Sequence, residues 1–254
     1  ILYYYIDIRN FNSVAPLPMY MRDLEHLKKE AGIAACEYVS SGMKLGLGTG
    51  STVKYTIMEL GRRISEENLK IVGVPTSEST RILAQSLNIP LIKIEDADKL
   101  DLTIDGADEF DVNYNLIKGG GGALTREKIV ANASNAMIVV ADDSKRVDIL
   151  GKFPLPVEVC ADDWESIQSE ISKLCIGNVS LRGGENSPYV TDNGGYILDC
   201  YFGPNITIPS DLENTINSID GVVDVGLFVG ICDIIIISSR SGIKTLINQN
   251  GRLS

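Results

Sequence analysis

Apolar residues recur along this chain with two different spacings, and each spacing predicts a different kind of element. Spacings of three and four residues, typical of amphipathic helices, cover residues 22–40, 52–64, 77–87, 124–133, 164–174 and 211–219. Short and almost wholly apolar runs, typical of buried strands, cover residues 43–47, 69–74, 91–94, 102–104, 137–140, 155–159, 179–181, 196–201, 222–229 and 233–238. Ser77 is the expected N-cap of the third helix, because its hydroxyl can accept a hydrogen bond from a free backbone N–H.

The order of these elements predicts an α/β fold. Up to Gly151, strands alternate with helices, and apolar strands of this kind form parallel sheets that are covered on both faces. Beyond Gly151 the rhythm changes, which indicates a smaller α+β unit, and the last two strands are expected to rejoin the first sheet. We therefore predict a larger α/β domain from residues 21–150 plus 225–254, and a small α+β domain from residues 151–224.

The first 20 residues do not continue this pattern. Residues 1–18 contain two prolines and show no clear period, and their apolar start is interrupted by Asp7 and Arg9. A secretory signal peptide has a basic beginning and an unbroken apolar stretch, so we do not expect one here. We expect residues 1–20 to be an extension, either disordered or added to the natural chain, with the folded protein starting near Met19 or Met21.

Charge narrows the range of partners. Asp and Glu number 34 against 23 Lys and Arg, which gives a formal charge of -11 and a pI of about 4.6. Proteins that bind nucleic acid or anionic membranes need a basic surface, so we expect neither partner. No apolar run approaches the length of about 18 residues that a transmembrane helix requires. A small anionic substrate is compatible with this charge if positive groups are concentrated locally.

Histidine and cysteine chemistry is limited. His26 is the single histidine, which excludes a zinc site built from several histidines. The cysteines lie too far apart in sequence for a CxxC motif, and they indicate reduced, mostly buried thiols in a cytoplasmic protein. They are Cys36, Cys160, Cys175, Cys200 and Cys232. Any catalysis must therefore use carboxylates, lysines, hydroxyls and backbone amides.

Three segments rich in glycine or carboxylate follow predicted strands. The first is GLGTGST, residues 46–52, which lacks the lysine and spacing of a P-loop, the spacing of GxGxxG and the GxSxG motif. Its last four residues are Thr49, Gly50, Ser51 and Thr52, at the start of a predicted helix. Hydroxyls and free amides at a helix N-terminus suit a phosphate group. An ordinary strand-to-helix turn, capped by Ser or Thr, is the alternative interpretation.

The second segment is DGADEFD, residues 105–111, which places four carboxylates within seven residues. Because these charges repel one another, the segment is either a solvated turn or a functional site. An EF-hand is excluded, because Leu116 stands where that loop needs glycine and Gly122 where it needs glutamate. A magnesium site formed by Asp105 and Asp108 stays open at this point, as does the solvated turn.

The third segment is IKGGGGALTREK, residues 117–128. Lys118 precedes four consecutive glycines, whose N–H groups can face an oxyanion when the backbone is ordered. Glu127 follows in the predicted helix and can turn back toward the glycines, although most glutamates in such positions are solvated. Lys145 lies in the loop after the strand at 137–140, where a lysine is by default a surface residue.

All three segments are expected at the C-terminal edge of the sheet, where α/β proteins bind ligands. Together they supply a phosphate cradle, paired carboxylates, an oxyanion site, a lysine and a glutamate. That set suits proton transfer next to a carbonyl group on a phosphorylated substrate. These segments, with DDSKRVDILGKFPLPVEV and VTDNGGYILD, closely resemble the type A family of ribose-5-phosphate isomerases, and the resemblance runs from about Leu24 to Ile247.

The resemblance implies a Rossmann-like parallel-sheet domain with a second, smaller ferredoxin-like α+β domain. It also implies an aldose–ketose isomerase that interconverts ribose 5-phosphate and ribulose 5-phosphate through a cis-enediolate. No cofactor or metal is implied, and the protein would be a cytoplasmic homodimer or homotetramer. By motif, the catalytic residues would be Glu127 as general base, Lys118, Asp105 and Asp108. The substrate-binding residues would be Lys28, Thr49, Gly50, Ser51, Thr52, Gly106, Ala107, Gly119, Gly120, Gly121 and Lys145.

Residues 182–194 depart from the family pattern, because the segment is shorter than usual and lacks the basic residues that often follow its paired glycines. This difference bears on the shape of the small domain and its subunit contacts. Two other functions fit the sequence less well. A sugar-phosphate sensor of the same fold would keep the phosphate cradle and lose the base, whereas Glu127 and Lys118 are both present. A structural or interaction subunit would not require the concentrated glycines.

Overall fold

The computed structural model describes residues 19–253. The helices are α1 (Met19–Ala35), α2 (Val53–Glu67), α3 (Glu78–Ser86), α4 (Leu124–Asn132), α5 (Trp164–Ser172) and α6 (Pro209–Asn217). The strands are β1 (Lys44–Leu47), β2 (Val72–Pro75), β3 (Leu102–Gly106), β4 (Glu109–Phe110), β5 (Leu116–Ile117), β6 (Met137–Asp142), β7 (Leu155–Val159), β8 (Val179–Leu181), β9 (Tyr196–Cys200), β10 (Val222–Val225), β11 (Leu227–Phe228), β12 (Ile234–Ser239) and β13 (Gly242–Ile247). Short 3-10 turns cover Cys36–Tyr38, Ile94–Asp96 and Asp143–Lys145. Most of the predicted extension, residues 1–18, lies outside the described residues.

The larger sheet has six strands in the order β13-β12-β6-β3-β1-β2. All neighbours pair in parallel except β12 and β13, which pair as an antiparallel hairpin at the edge. The predicted α/β fold is confirmed, because central strands such as β6 are buried along their whole length and α1 covers β6 and β12. The chain leaves β1 toward β2 and then returns to β3, so a topological switch point lies between β1 and β3.

The smaller sheet has four antiparallel strands in the order β10-β7-β9-β8. Along the chain its elements run β7, α5, β8, β9, α6 and β10, which is the ferredoxin-like arrangement that was expected. Val157 and Leu198 of the sheet pack with Ile171 and Ile216 of the two helices in one apolar core. The division of the chain at residues 151 and 224 stays a prediction.

Two predicted strands are wrong. Residues 91–94 form a single bridge between Leu91 and Gly73 and then a 3-10 turn, because this short segment lies beyond β2 at the sheet edge. Residues 222–229 are divided at Gly226 into β10 and β11, and neither rejoins the larger sheet. At the division, Gly226 O accepts a hydrogen bond from Lys118 N, and Gly226 N donates one to Pro156 O. The backbones approach so closely that a Cβ atom on residue 226 would collide with the carbonyl oxygens of Lys118 and Pro156.

The edge strand β13 was missed by the sequence pattern. Its residues are nearly all exposed, with Ile243 and Ile247 on the surface. Because neither face of the strand is buried, its sequence does not alternate between apolar and polar residues in the way that predicts a strand. The predicted strand at 233–238 does join the larger sheet as β12. Between residues 19 and 253, no helix is long and apolar enough to cross a membrane.

Candidate active site

A small open cavity lies at the C-terminal edge of the larger sheet, next to the switch point between β1 and β3. Its walls come from the turn after β1, the end of β3, the glycine run before α4, the first turn of α4, and the loop after β6. The lining residues are Thr49, Gly50, Ser51, Thr52, Gly106, Ala107, Asp108, Lys118, Gly119, Gly121, Glu127 and Lys145. The fold thus brings together residues as far apart in sequence as Thr49 and Lys145.

One wall of the cavity is built to receive an anion. Gly50 adopts φ +129°, which lets the chain turn sharply from β1 into α2. Within the described part of the chain, the N–H groups of Gly50, Ser51 and Thr52 have no protein acceptor. They precede the first turn of α2, whose dipole adds partial positive charge at the same place. We call residues 50–52 the cradle, because their free amides can receive an anion such as a phosphate group.

A hydroxyl network supports the cradle, and sequence reasoning missed it. Thr49 Oγ1 lies 2.8 Å from Thr76 Oγ1 and 2.7 Å from Ser77 Oγ. Thr80 Oγ1 donates a 2.8 Å hydrogen bond to Gly48 O. Ser77 caps α3 by accepting from Thr80 N, as predicted. Thr76 and Ser77 directly follow β2, so their position at the same sheet edge was the available signal.

A buried cluster of three charges forms the floor of the cavity. Lys118 Nζ lies 3.0 Å from Asp105 Oδ2 and 3.1 Å from Glu127 Oε1, and it donates a 2.6 Å hydrogen bond to Gly106 O. Lys118 is 2% exposed, Asp105 0% and Glu127 4%. Glu127 Oε2 has no hydrogen-bond partner among the described residues, although Glu127 lines the cavity. Glu127 therefore lines the cavity with a buried carboxylate, one oxygen of which is not committed to a protein hydrogen bond.

The surroundings of this cluster shift the pKa of Glu127 and the pKa of Lys118. Burial is the main cause that raises the pKa of Glu127 to about 8, and Asp105 raises it further against the opposing effect of Lys118. Burial alone would lower the pKa of Lys118, but the neighbouring carboxylates of Asp105 and Glu127 hold it above its ordinary value. The lysine therefore stays charged while the glutamate titrates near neutral pH.

Asp105 connects the charged cluster to the cradle. Its Oδ1 accepts hydrogen bonds from Thr49 N at 3.0 Å and from Gly106 N at 2.7 Å. A Cβ atom on Gly48 would lie 2.2 Å from Asp105 Oδ1, so the close approach of β1 and β3 requires glycine there. Asp105 lies beneath the cavity and is absent from its lining.

The glycine run forms another wall of the cavity, and Gly121 lies close to the Thr49 side chain. Gly119 and Gly122 have positive φ values of +104° and +82°, which reverse the chain between β5 and α4. Gly120 N donates a 2.7 Å hydrogen bond to Asp108 Oδ2, and Gly122 N donates to Gly119 O. The Gly119 and Gly121 N–H groups have no acceptor within residues 19–253. Gly120 itself does not line the cavity.

The two outlying lysines of the predicted site have different positions. Lys145 is half-buried in the 3-10 turn after β6 and lines the cavity, and Asp142 caps that turn by accepting from Ser144 N. Lys28, in α1, does not line the cavity, and its Nζ donates a 3.0 Å hydrogen bond to Glu25. Glu25 also accepts a 2.6 Å hydrogen bond from Tyr55, two residues into α2.

The carboxylates do not form a metal centre among the described residues. Side chains of His, Cys, Asp and Glu do not gather there in groups of three or more that suit a metal ion. Asp111 instead accepts hydrogen bonds from Asn113 N, Asn115 N and Asn115 Nδ2 in its own turn. Asp105 and Asp108, the open magnesium alternative, each accept backbone N–H groups with one oxygen.

A set of free amides lies beside a buried carboxylate–lysine–carboxylate cluster at the switch point of a parallel sheet, an arrangement typical of enzymes that move protons on small phosphorylated substrates. The family model that matches this chain, over residues 72–242, is described as ribose 5-phosphate isomerase A, or phosphoriboisomerase A. The chain belongs to the ribose-5-phosphate isomerase A family.

Individual relatives agree over most of the chain. The ribose-5-phosphate isomerase A of Bacillus mycoides is 48% identical over 219 residues, which cover 86% of this chain and 98% of that protein. The solved structure of the enzyme from Methanocaldococcus jannaschii has a TM-score of 0.83 and 40% identity, and covers 88% of this chain and 99% of its own. A D-ribose-5-phosphate isomerase solved in complex with phospho-erythronic acid has a TM-score of 0.84 and 42% identity, with coverage of 88% and 99%.

Proposed function

We propose that this protein interconverts D-ribose 5-phosphate and D-ribulose 5-phosphate, with Glu127 as the general base. The observation that carries this proposal is the Glu127 carboxylate, which is buried beside Lys118 yet lines a cavity that also contains an anion cradle. A base with a pKa near 8 is well matched to taking a proton from carbon at neutral pH and returning it. The membership of the chain in the isomerase family supports the same reaction.

The substrate would bind with its phosphate and its reacting carbons at opposite ends of the cavity. The phosphate would accept hydrogen bonds from the amides and hydroxyls of residues 50–52, with Lys145 as a nearby cation. The carbonyl end would then lie between residues 106–108 and the glycine run. Asp108, which lines the cavity, would accept a hydrogen bond from a substrate hydroxyl. Asp105 lies beneath the cavity and would act indirectly, by holding Lys118 and the Thr49 amide in place.

The proton transfer follows from this placement. Glu127 takes the proton from C2, and the C–H electron pair forms the C1=C2 bond while negative charge moves onto the carbonyl oxygen. Lys118 and the free glycine amides stabilise that charge, and each well-placed donor typically contributes about 2.7–4 kcal/mol. A proton passes between the two oxygens of the cis-enediolate, and Glu127 then delivers its proton to C1, which gives the ketose.

The activity should depend on pH as the ionisation of Glu127 requires. The carboxyl must be ionised to act as base, and its pKa is raised to about 8, so kcat/KM should rise about tenfold per pH unit below that value and level off above it. The profile is best measured above pH 7, where the substrate phosphate is already mostly a dianion. A flat profile between pH 7 and 9 would contradict the assignment.

The Thr52→Ala variant tests the cradle. Thr52 lines the cavity and its hydroxyl makes no capping bond to α2, so its removal should leave folding unchanged. We expect KM for ribose 5-phosphate to rise about tenfold with kcat nearly constant, because a hydrogen bond to phosphate acts equally in ground state and transition state. Thr215→Ala, on the exposed side of α6, is the matched control. A selective loss of kcat would contradict a binding role.

The test of the function is an isomerase assay with ribose 5-phosphate on protein from which metal has been exhaustively removed. We expect turnover that added Mg²⁺ does not increase, whereas strong dependence on Mg²⁺ would favour metal-assisted isomerisation. A sugar-phosphate sensor, the alternative, would bind ribose 5-phosphate and release it unchanged. The buried pair of Glu127 and Lys118 favours the enzyme, because binding alone does not need a base at the carbonyl end.

We also propose that the protein works in the cytoplasm as a homodimer or homotetramer. The five cysteines are all free thiols, and two of them, Cys160 and Cys175, are at least partly exposed. Thiols of this kind persist in a reducing compartment. Light scattering across a concentration series measures the oligomeric state, and a monomer at micromolar concentration would contradict that part of the proposal.

A further inference from the structure

The small sheet reaches the glycine run of the active site through one arginine. Arg182 directly follows β8, and its Nη1 donates hydrogen bonds to Gly119 O at 2.9 Å and to Gly120 O at 3.2 Å. Arg182 lies in the segment that departs from the family pattern. The function proposed above uses the glycine amides and leaves the groups that hold the carbonyls unexplained.

Peptide geometry connects those carbonyls to the amides of the site. In a trans peptide the C=O and the following N–H point in opposite directions, and the described chain contains no cis peptide. When Arg182 holds Gly119 O, it therefore directs Gly120 N–H away from itself, and that N–H bonds to Asp108 Oδ2 at 2.7 Å. When it holds Gly120 O, it directs Gly121 N–H away in the same manner.

The Gly121 amide is the one that matters for the cavity. Gly121 lines the cavity close to the Thr49 side chain, and its N–H has no acceptor in the described part of the protein. Four consecutive glycines have more backbone freedom than any other sequence, so the run needs external contacts to keep one orientation of its peptides. Arg182 makes two such contacts from outside the cavity.

Arg182 is itself fixed in place. Its Nε lies 3.0 Å from Asp199 Oδ2, and its Nη2 bonds to Asp199 Oδ1, so the carboxylate on β9 holds the guanidinium at two points. The ring of Tyr189 lies 5.9 Å from its Cζ, and the Tyr189 hydroxyl approaches Gly121 O at 3.4 Å. The side chain of Arg182 is 17% exposed, so the contact is largely shielded from water.

We propose that Arg182 is a positioning residue for the isomerase reaction, which aims the Gly120 amide at Asp108 and the Gly121 amide at the oxyanion of the enediolate. The inference rests on the function proposed above. It assigns the small sheet a part in catalysis, because a residue of that sheet orients a donor needed only when negative charge develops. Arg182 does this without touching the substrate.

The test compares Arg182→Lys with the unaltered protein. Lysine keeps the charge but cannot bond Asp199 at two points and both carbonyls together. We expect kcat to fall about 10- to 100-fold while KM changes less than about threefold, because an oriented oxyanion donor acts mainly in the transition state. Asp199→Asn, which loosens the arginine and leaves it in place, should lower kcat in the same direction by a smaller factor.

Two ligands separate positioning from a general loss of structure. Phospho-erythronic acid has a planar, negatively charged carboxylate like the enediolate, whereas ribitol 5-phosphate has the phosphate and hydroxyls but no such charge. Arg182→Lys should lower the affinity for phospho-erythronic acid about tenfold or more and the affinity for ribitol 5-phosphate less than about twofold. Lys173→Met, an exposed change in α5's C-cap, is the control for the small domain and should alter neither affinity.

Several outcomes would overturn the inference. A wild-type kcat in Arg182→Lys would do so. An equal loss of affinity for both ligands would also do so, because it would indicate a structural role. If Arg182→Lys does not fold, Asp199→Asn gives the same comparison. Failure of the proposed function is a separate result, since the unaltered protein would then not isomerise ribose 5-phosphate at all.

Discussion

Glu127→Gln is expected to lower kcat by about 10²–10⁴-fold, because the amide cannot take the C2 proton of the substrate. Glutamine has nearly the same shape, and burial already disfavours the charged form of Glu127 and raises its pKa, so a neutral amide there should not impair folding. KM should change little, since Glu127 is not part of the phosphate cradle. Exchange of the C2 hydrogen with solvent D2O, followed by NMR, measures the proton transfer directly.

The control for this variant is Glu66→Gln in α2, which removes an exposed carboxylate of the same type far along the helix from the cradle. It should keep full activity. If Glu127→Gln retains more than a tenth of the wild-type kcat, or exchanges the C2 hydrogen at the normal rate, another group must carry the proton.

Lys118→Met is expected to damage both catalysis and stability. It leaves the carboxylates of Asp105 and Glu127 buried without their cation, and loss of one partner from a buried ion pair typically costs about 3–5 kcal/mol. It also removes a stabiliser of the oxyanion, so kcat of the folded protein should fall about 10²–10³-fold. Urea unfolding and initial-rate kinetics measure the two effects separately.

The stability of Lys118→Met should depend on pH with a definite sign. Lys118 lowers the pKa of Glu127, so its removal raises that pKa further above the unfolded value. A carboxyl with a raised pKa in the folded state favours folding at low pH, and this contribution is lost as pH rises through the folded pKa. The variant should therefore be least destabilised in mildly acidic buffer and most destabilised above pH 8.

Lys128→Met is the matched comparison for this variant. Lys128 is also a buried lysine between two carboxylates, with its Nζ 2.6 Å from Glu213 and 2.7 Å from Asp224, but it does not line the cavity. The Lys128→Met variant should have a lower free energy of unfolding, while its folded form keeps most of the wild-type kcat. If the two lysine variants lose kcat equally, the effect of Lys118 on catalysis is only structural.

Residues near in sequence were the easiest to place in the site. The turn Thr49–Thr52 follows β1, and Asp105 and Asp108 lie at the end of β3 and just beyond it, so the rule that parallel strands end at one sheet edge placed these two segments together. The glycine run follows β5, which pairs antiparallel with β4 and β11 outside the larger sheet, so only the fold places it at that edge. The order of strands and helices along the chain was enough to predict that the Thr49–Thr52 turn meets the end of β3. It was not enough to show that Lys118 lies between Asp105 and Glu127, because that depends on the path of the chain through β4 and β5.

The contacts that sequence reasoning missed join elements distant along the chain. Thr76 and Ser77, which follow β2, and Thr80 in α3 reach Thr49, and Arg182 reaches the glycine run from the small sheet. Polar side chains of these types are common on surfaces, and their spacing has no period that marks a partner. Only the packed fold shows which of them are held against the site.

The sequence by itself determined most of the elements of this protein and the edge at which its chemistry gathers, because apolar period and glycine position act locally on the backbone. The tertiary structure alone decided which charges are buried together, where β10 separates from β11, and which residue of the small sheet holds the glycine carbonyls. The physical reason is that burial and ion pairing arise from atoms brought close by folding, and distance along the chain does not encode them. The pKa of Glu127 is the clearest example, since desolvation and the charges of Asp105 and Lys118 set it only in the folded state.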